Sequence, residues 1–279
     1  MRSVPEGEFT HVIQTRFNMP SPGRESQIRA RPGWLAGRFE LFERYCLPSI
    51  AAQSLKDFHW VIYFDEATPP EFRERIEACR RIAAFTPFYT GYFGPEGWPR
   101  SLQGLFPERT PWLLTTRFDS DDALAIDYVA RLRAAITAAR PTAACAFNVT
   151  EGTVIRAGRV YAHRHRSNAF ASWFEPWDAA TRTAMSIRHM DLSKAGPILQ
   201  IGGPAGWLQV IHETNVSNKV RGRRVAAETI AGHFPAAVIG PLRPTSGFEI
   251  ALENLVLTPL RRNRDALVNH LRGHGRVSG

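Results

Sequence analysis

Three carboxylates interrupted by one serine, Asp119-Ser120-Asp121-Asp122, stand directly behind the apolar run Trp112–Phe118. Negative charges held so close are stable only with a cation or strong hydrogen bonds beside them. The group therefore suits a hard divalent ion, Mg²⁺ or Mn²⁺, that carries a phosphate-rich ligand. The commoner use of such residues is to cap a helix, where Asp121 or Asp122 would accept free backbone N–H groups. An Asp-x-Asp alone does not separate the two readings. Other reactive or charged residues also end apolar runs: Thr15 and Arg16 close Phe9–Phe17, Asp65 follows Phe58–Phe64, and His212 follows Trp207–Ile211.

The elements that must position these residues read as alternating strands and helices. Phe9–Phe17 is the first strand, followed by a Pro/Gly-rich loop over 19–33. Leu35, Phe39, Phe42, Cys46 and Ile50 recur three or four apart, which predicts an amphipathic helix, broken or kinked near Pro48. The nearly continuous apolar run Phe58–Phe64 suits a parallel strand covered on both faces. Thr68-Pro69-Pro70-Glu71 then predicts an N-cap with a capping box, opening a helix that carries Phe72, Ile76, Cys79 and Ile82. A short strand near 85–89 precedes the long Gly/Pro-rich stretch 91–111, expected to be a loop at the site or a flap. The strand Trp112–Phe118, the acidic turn and a helix over Leu124–Ala139 complete a doubly wound pattern. Ligands in such sheets bind at the carboxyl ends of the strands, where Arg16, Asp65 and Asp119 all fall.

The second half changes character. Ala143–Val149 reads as a strand, and Thr153–Arg156 with Arg159–Ala162 reads as a hairpin about Ala157-Gly158. A polar and aromatic loop is expected over Ser167–Trp177, then the strand Trp207–Ile211. Ser246-Gly247-Phe248-Glu249 is a second capping box, opening a helix with Phe248, Leu252, Leu255 and Val256 that stops near Pro259, and a last helix is expected over Arg264–Leu271. No linker divides the chain, so all of 1–279 is expected to be a single domain: a ligand-binding half over 9–142, a second half over 143–260 and a basic tail over 261–279.

Composition narrows the partners. Apolar residues make up 44% of the 279, with seven Trp and seventeen Phe, which argues for a packed globular protein. A net charge of +9 favours anionic partners such as nucleotides, phosphorylated lipids or an acidic membrane surface. Two basic clusters, Arg156–Arg166 and Lys219–Arg224, could face such a ligand or form a solvated surface. Nucleic acid is disfavoured because the basic residues are dispersed and no zinc-finger, homeodomain or RNA-recognition signature accompanies them. Cys46, Cys79 and Cys145 show no motif spacing and the N-terminus has no apolar signal region, so free thiols and a cytoplasmic location are expected. No apolar run reaches the ~18–20 residues that span a bilayer, which limits membrane association to peripheral contact, expected at the inner face.

In their order along the chain, these features resemble the GT-A glycosyltransferases. More narrowly, His11–Asn18, the Tyr45–Ile50 to Phe64-Asp65 region, Thr116–Asp122 and Trp207–Asn218 resemble the bacterial rhamnosyltransferase family, with the likeness spanning roughly 9–260. The resemblance implies a GT-A-like, Rossmann-like α/β fold with a mixed, mostly parallel sheet flanked by helices and a C-terminal acceptor-side subregion. It implies transfer of a sugar, rhamnose by the family name, from a nucleoside-diphosphate donor to a cell-surface polysaccharide or glycolipid acceptor. Mg²⁺ or Mn²⁺ would bridge the diphosphate to the carboxylates. By the same likeness, Asp119 would face ribose or metal, Asp121 would be the leading metal ligand with Asp122 as a third, the motif reading either as Asp-x-Asp or as the terminal Asp-Asp, and His212 would complete the metal or diphosphate site. Thr15, Arg16 and Asp65 would contact base or ribose, Asn215 would orient the phosphate, and Arg117 would pair with a phosphate or with one of the acidic residues. Glu213 stands where the family has a small residue.

Inversion at the sugar requires a general base on the acceptor hydroxyl, and a carboxylate among apolar groups has the raised pKa that suits one. Glu175, between Trp173, Phe174 and Trp177, is the candidate, with Asp178, Asp191 and Glu213 as competitors. Rival readings are an Asp-dependent phosphohydrolase and a non-catalytic nucleotide- or polyanion-binding protein. The first would place its nucleophilic Asp after an early strand, and here the motif lies near the middle of the chain. A sugar nucleotidyltransferase would need a Gly-rich basic loop after the first strand, and 18–23 is a poor match.

Overall fold

A computed structural model of the chain describes residues 9–212, 220–240 and 242–259. Its strands in chain order are β1 (Phe9–Arg16), β2 (His59–Asp65), β3 (Thr86–Thr90), β4 (Trp112–Arg117), β5 (Ala123–Leu124) and β6 (Cys145–Val149). They continue with β7 (Glu151–Arg156), β8 (Arg159–Arg164), β9 (Ser172–Pro176), β10 (Ile198–Ile201), β11 (Trp207–Ile211) and β12 (Arg223–Val225). The main sheet runs β10-β6-β9-β4-β1-β2-β3. β1 is parallel to β2 and β4, β2 to β3, and β6 to β10, whereas β9 runs antiparallel between β4 and β6. β2 and β4 are buried on both faces, as the nearly continuous apolar run of β2 requires, and β4 buries Thr115 and Thr116 beside its Leu residues.

A second sheet runs β12-β8-β7-β11-β5. Its β7–β8 hairpin closes on Ala157 and Gly158, both at positive φ, which matches the right-handed twist of the flanking strands. The two-residue β5 joins the sheets: it leaves the acidic turn at the end of β4 and pairs with β11 through Ala123 and Leu208, Leu124 and Trp207. The main core lies on one face of the large sheet, where Phe17, Phe39, Phe42, Trp60 and Phe64 interlock edge-to-face and at tilted angles.

Several elements depart from the sequence reading for identifiable reasons. The helix expected from Leu124 begins at Tyr128, because Ala123 and Leu124 are drawn into β5 and both are fully buried there. Residues 167–177 are not a loop: Ser172–Pro176 is a central strand, its aromatic side chains packed on both sides, with Phe174 stacked on Trp112 at 5.0 Å. The stretch 91–111 contains a helix, Gly97–Leu105, whose Trp98 and Leu102 pack with Tyr63, Leu113 and Trp177. Before Pro48 the helix widens into a π turn, Phe42–Cys46, and resumes at Leu47–Ala51. Proline has no N–H to donate to the carbonyl four residues back, so the break falls on its N-terminal side. Thr68 does not cap the helix Pro70–Arg80. Its hydroxyl donates to the Asp65 carbonyl and accepts from Asn18.

The capping box at Ser246 forms, with Ser246 Oγ accepting the Glu249 N–H at 3.2 Å. The helix it opens, Gly247–Leu252 continuing as a π turn through Leu257, sits with its polar side inward. Glu253 is buried against Tyr161, which donates to it at 2.8 Å, and against Arg224, and Asn254 bonds both backbone groups of Arg224. Phe248 and Leu255 are consequently 76% and 75% exposed, and Leu252 and Val256 also face outward. The expected Arg264–Leu271 helix and basic tail lie outside the described residues.

Gly152 of β7 is required by packing: a Cβ there would come within 2.1 Å of the Trp207 indole. Gly152→Ala must displace that ring from a filled core, and the expected loss is about 1–3 kcal/mol of unfolding free energy. The urea midpoint measures it, with the m-value unchanged.

Candidate active site at the carboxyl ends of the parallel strands

β4 delivers the acidic turn beyond its carboxyl end, where the Asp122 N–H donates to the Asp119 carbonyl at 3.3 Å. The three carboxylates then go to three different partners. Asp122 is buried, and its Oδ1 accepts the N–H of Val210 in β11 at 2.8 Å. Asp121 Oδ2 lies 2.8 Å from Arg38 Nη1 and 2.8 Å from His212 Nε2. Asp119 is half-buried, 3.5 Å from Arg117 Nη2. Asp122 is committed to the backbone of β11, whereas Asp121 meets Arg38 and the His212 imidazole. Neither residue caps a helix.

The electrostatics follow. Burial alone would push the Asp121 carboxyl up, but Arg38 and the hydrogen bond and charge of His212 outweigh it and hold Asp121 down at about 2. Burial, reinforced by the negative charges of Asp121 and Asp119, raises Asp122 well above the ordinary carboxylate value. Asp121 is thus the firmly ionised member of the turn.

The neighbouring strand ends supply further charge. Asp65 Oδ2 accepts Arg29 Nη2 at 2.8 Å, while its Oδ1 accepts the Ala67 N–H and closes a local turn. Asn18, just past β1, braces this corner by accepting the Asp65 N–H and donating to Thr68. Arg16 makes two hydrogen bonds to Glu25, at 2.6 and 2.7 Å. Thr15 is fully buried and accepts the Trp60 indole N–H, so its side chain serves the core and not the strand-end cleft. At the turn and the neighbouring strand ends several buried donors have no partner: Arg29 Nε, Arg38 Nε, Arg117 Nε and Ser120 Oγ.

Glu175 lies elsewhere. It sits opposite Leu113 near the start of β4, and four residues at about 3.3 Å each place it roughly 13 Å from Arg117 along the strand. Both of its oxygens accept the Arg182 N–H, and Oε1 also accepts that of Thr183. Its burial thus anchors the 182–183 backbone to β9, and the aromatic residues that flagged it are core side chains. Asp178 closes a turn with Ala180, and Asp191 pairs with Arg188 and Lys194. Glu213 and Asn215 lie outside the described residues.

Arg38, Arg29 and Asn18 belong to the site and were missed by sequence reasoning. Arg38 stands 83 positions from Asp121 on a short helix and its side chain turns inward to the acidic turn, a contact that no local pattern in the sequence marks. A signal was available only in Trp34, whose ring lies 5.8 Å from Arg29 and 5.9 Å from Arg38 and spaces the two guanidiniums.

Among the described residues, no three His, Cys, Asp or Glu side chains converge as a metal cage. What the site offers is a two-member donor set, the Asp121 carboxylate and the His212 imidazole, with Asp119 alongside. Mg²⁺ commonly takes one or two protein carboxylates and completes its shell with substrate phosphates and water. The residues present fit an ion that arrives with a diphosphate.

Fold and site together define a mixed α/β protein with a mostly parallel sheet flanked by helices, carrying charged groups at the carboxyl ends of its strands. The chain belongs to the family described as "Putative rhamnosyl transferase", which matches residues 10–224, and with it to the glycosyltransferases. Solved structures similar to it include S. aureus TarS residues 1–349 in complex with UDP, at 10% identity and a TM-score of 0.44, covering 72% of this chain and 60% of that one. Another is the inositol-1-phosphate CTP transferase from T. maritima, at 11% identity and a TM-score of 0.34, covering 73% of this chain and 89% of that one. This chain therefore spans less than two thirds of the TarS chain. No curated protein matches it.

Burial raises Glu175 above its ordinary value of 4.5, partly opposed by the Thr183 and Arg182 N–H groups. A carboxyl raised on folding contributes stability that is full below its unfolded pKa and lost as pH rises through the folded pKa. In Glu175→Gln, the decline of the thermal midpoint with pH just above 4.5 should flatten. An unchanged slope would show that Glu175 is not buried as an acid.

Proposed function

We propose that this protein transfers a glycosyl group, rhamnosyl by its family, from a nucleoside-diphosphate sugar to a cell-surface polysaccharide or glycolipid acceptor. One observation carries the reading: buried Nε–H groups of Arg38 and Arg117 and the Ser120 hydroxyl at the acidic turn, with the Nε–H of Arg29 at the end of β2, stand without acceptors. Buried donors rarely go unpaired, and a ligand rich in anionic oxygens satisfies all of them at once. In this reading Asp65, braced by Arg29 and Asn18, faces the nucleobase, and Asp119 faces the ribose. Arg38 and Arg117 hold the diphosphate and oppose the charge that builds on it as the glycosidic bond breaks. Mg²⁺ or Mn²⁺ bound with the donor would be held by Asp121 and His212 and would neutralise the leaving group. Arg38, already 2.8 Å from Asp121, keeps that carboxylate ionised and oriented before any ligand arrives.

The test is calorimetric titration with UDP, GDP, ADP and dTDP, with and without Mn²⁺. One diphosphate is expected to bind in a Mn²⁺-dependent manner, and Asp121→Ala to abolish that dependence. A hydrogen bond to a charged group is worth about 1.5–3 kcal/mol, so Arg38→Ala should weaken nucleotide binding by about ten- to a hundredfold. Wild-type protein that binds none of the four sinks the reading.

The location proposed is cytoplasmic, in peripheral contact with the inner face of the membrane. No described helix is long and apolar enough to cross a bilayer. The outward-facing Phe248, Leu252, Leu255 and Val256 form an apolar strip, and residues 260–279 carry five Arg against one Asp. Apolar burial and attraction to anionic lipid add in such an arrangement. Co-sedimentation with phosphatidylserine vesicles should fall severalfold in a Phe248→Ser, Leu255→Ser double variant. Equal sedimentation of variant and wild type removes the strip from membrane binding.

A further inference from the structure

Beside the acidic turn, on the face of β11 that looks away from the second core, lies a cavity of about 230 Å³. Alternate residues of β11 divide the work. Leu208 and Val210 pack with Tyr45, Ala123 and Ile230, while Trp207 and Gln209 line the cavity. The Trp207 ring lies across Gly152, stacked on Phe170 at 5.0 Å and meeting the edge of His163 at 6.0 Å. The remaining polar wall is His163, His165, Asn168, His189 and Arg221, and among the described residues the lining contains no carboxylate.

The donors of this wall are partly pre-set. His165 Nδ1 accepts the Ser167 N–H at 3.1 Å, which places its proton on Nε2 and makes that nitrogen a donor. Ser167 Oγ donates to the His189 carbonyl and fixes that residue's backbone. The His163 and His189 rings make no hydrogen bond, and Arg221 no ion pair, among the described residues. Burial lowers all three imidazoles; His165 and Arg221 lower His163 further, Arg221 lowers His165, and Arg117 and His165 lower His189. Burial thus favours the neutral form of the imidazoles, and among the described residues the wall holds no counter-ion for Arg221. The cavity is joined to the turn at two points: β11 runs from it into His212, which contacts Asp121, and His189 feels the charges of Arg117 and Asp119.

We propose that this cavity is the acceptor subsite and that it takes a sugar bearing an anionic group, phosphate or carboxylate, with the anion on Arg221 and the imidazole donors and the sugar ring against the Trp207–Phe170 wall. The proposal rests on the glycosyl-transfer reading of the acidic turn and names the acceptor class it serves. Arg38 and Arg117 contact the carboxylates of the turn and suit the donor diphosphate, whereas Arg221 lines the cavity and suits a second anion. A neutral sugar gains nothing from the Arg221 guanidinium at the cavity's exposed edge, whereas an anionic one pairs with it, which is the basis of discrimination.

The test follows the histidine ring signals of the ¹⁵N-labelled full chain by NMR during titration with D-glucuronate, D-glucose 6-phosphate and D-glucose. The series is run alone and again with the nucleoside diphosphate and Mn²⁺ present. At least one of the two anionic sugars should shift the His163, His165 and His189 signals at a midpoint tenfold or more below that of glucose, and the tighter of the two identifies the anion as carboxylate or phosphate. Nucleotide should leave those midpoints unchanged, and Arg221→Gln, at an exposed position, should erase the tenfold preference. Equal midpoints for all three sugars, displacement of the anionic sugar by nucleotide, or a preference that survives Arg221→Gln each overturns the assignment. Intact nucleotide binding with no response to the anionic sugars defeats this inference alone. Failure of nucleotide binding defeats the reading beneath it.

Discussion

The hydrogen bond from the Val210 N–H to the buried Asp122 carboxylate is the constraint on which the site depends. It fixes the acidic turn of the large sheet to β11 of the small one, beside the two-residue pairing of β5 with β11. Three carboxyl groups in one turn oppose one another's ionisation, so each is drawn to a different element: Asp122 to a strand backbone, Asp121 to Arg38 and His212, Asp119 to Arg117. The repulsion that makes the turn costly in isolation thus becomes the means of gathering the helix Trp34–Leu41, β4 and β11 around one point. A cap on a following helix would have satisfied the same carboxylates locally and gathered nothing.

The arginines complete that logic. Arg29, Arg38 and Arg117 each use some of their donors on carboxylates or carbonyls of the protein and keep a buried Nε–H without a partner. A guanidinium presents its donors in a fixed fork, so one edge can hold the scaffold while the other remains available to an incoming anion. The positive charge of the chain is therefore structured at the site and not only spread over the surface. Elsewhere the same economy runs in reverse: Glu253 is drawn inward to Arg224 and Tyr161, and its helix turns Phe248 and Leu255 to the outside.

Glu175 shows how a chemically sound expectation can be misplaced. Aromatic neighbours and a raised pKa are features of a general base, and Glu175 has both. They are equally features of a carboxylate buried in a central strand. Which applies depends on whether Ser172–Pro176 is a loop over the site or a strand beside β4, and a five-residue apolar segment reads either way. The antiparallel register with β4 then carries Glu175 to the end of the strand remote from the turn.

The sequence by itself determined the α/β class, the strands β1, β2, β4, β7, β8 and β11 to within a few residues, the single acidic turn and the presence of His212 on a strand end. All of these are written in local patterns: apolar runs, periodicity, turn residues and the order of motifs. Only the tertiary structure decided that β9 enters the large sheet, that β5 displaces the start of a helix, that Asp122 bonds the backbone of β11 while Asp121 meets His212, and that Arg38 reaches Asp121 from 83 residues away. Those outcomes turn on which distant groups satisfy a buried charge or backbone N–H, and that competition is settled across the whole fold, beyond the reach of any window of neighbouring residues.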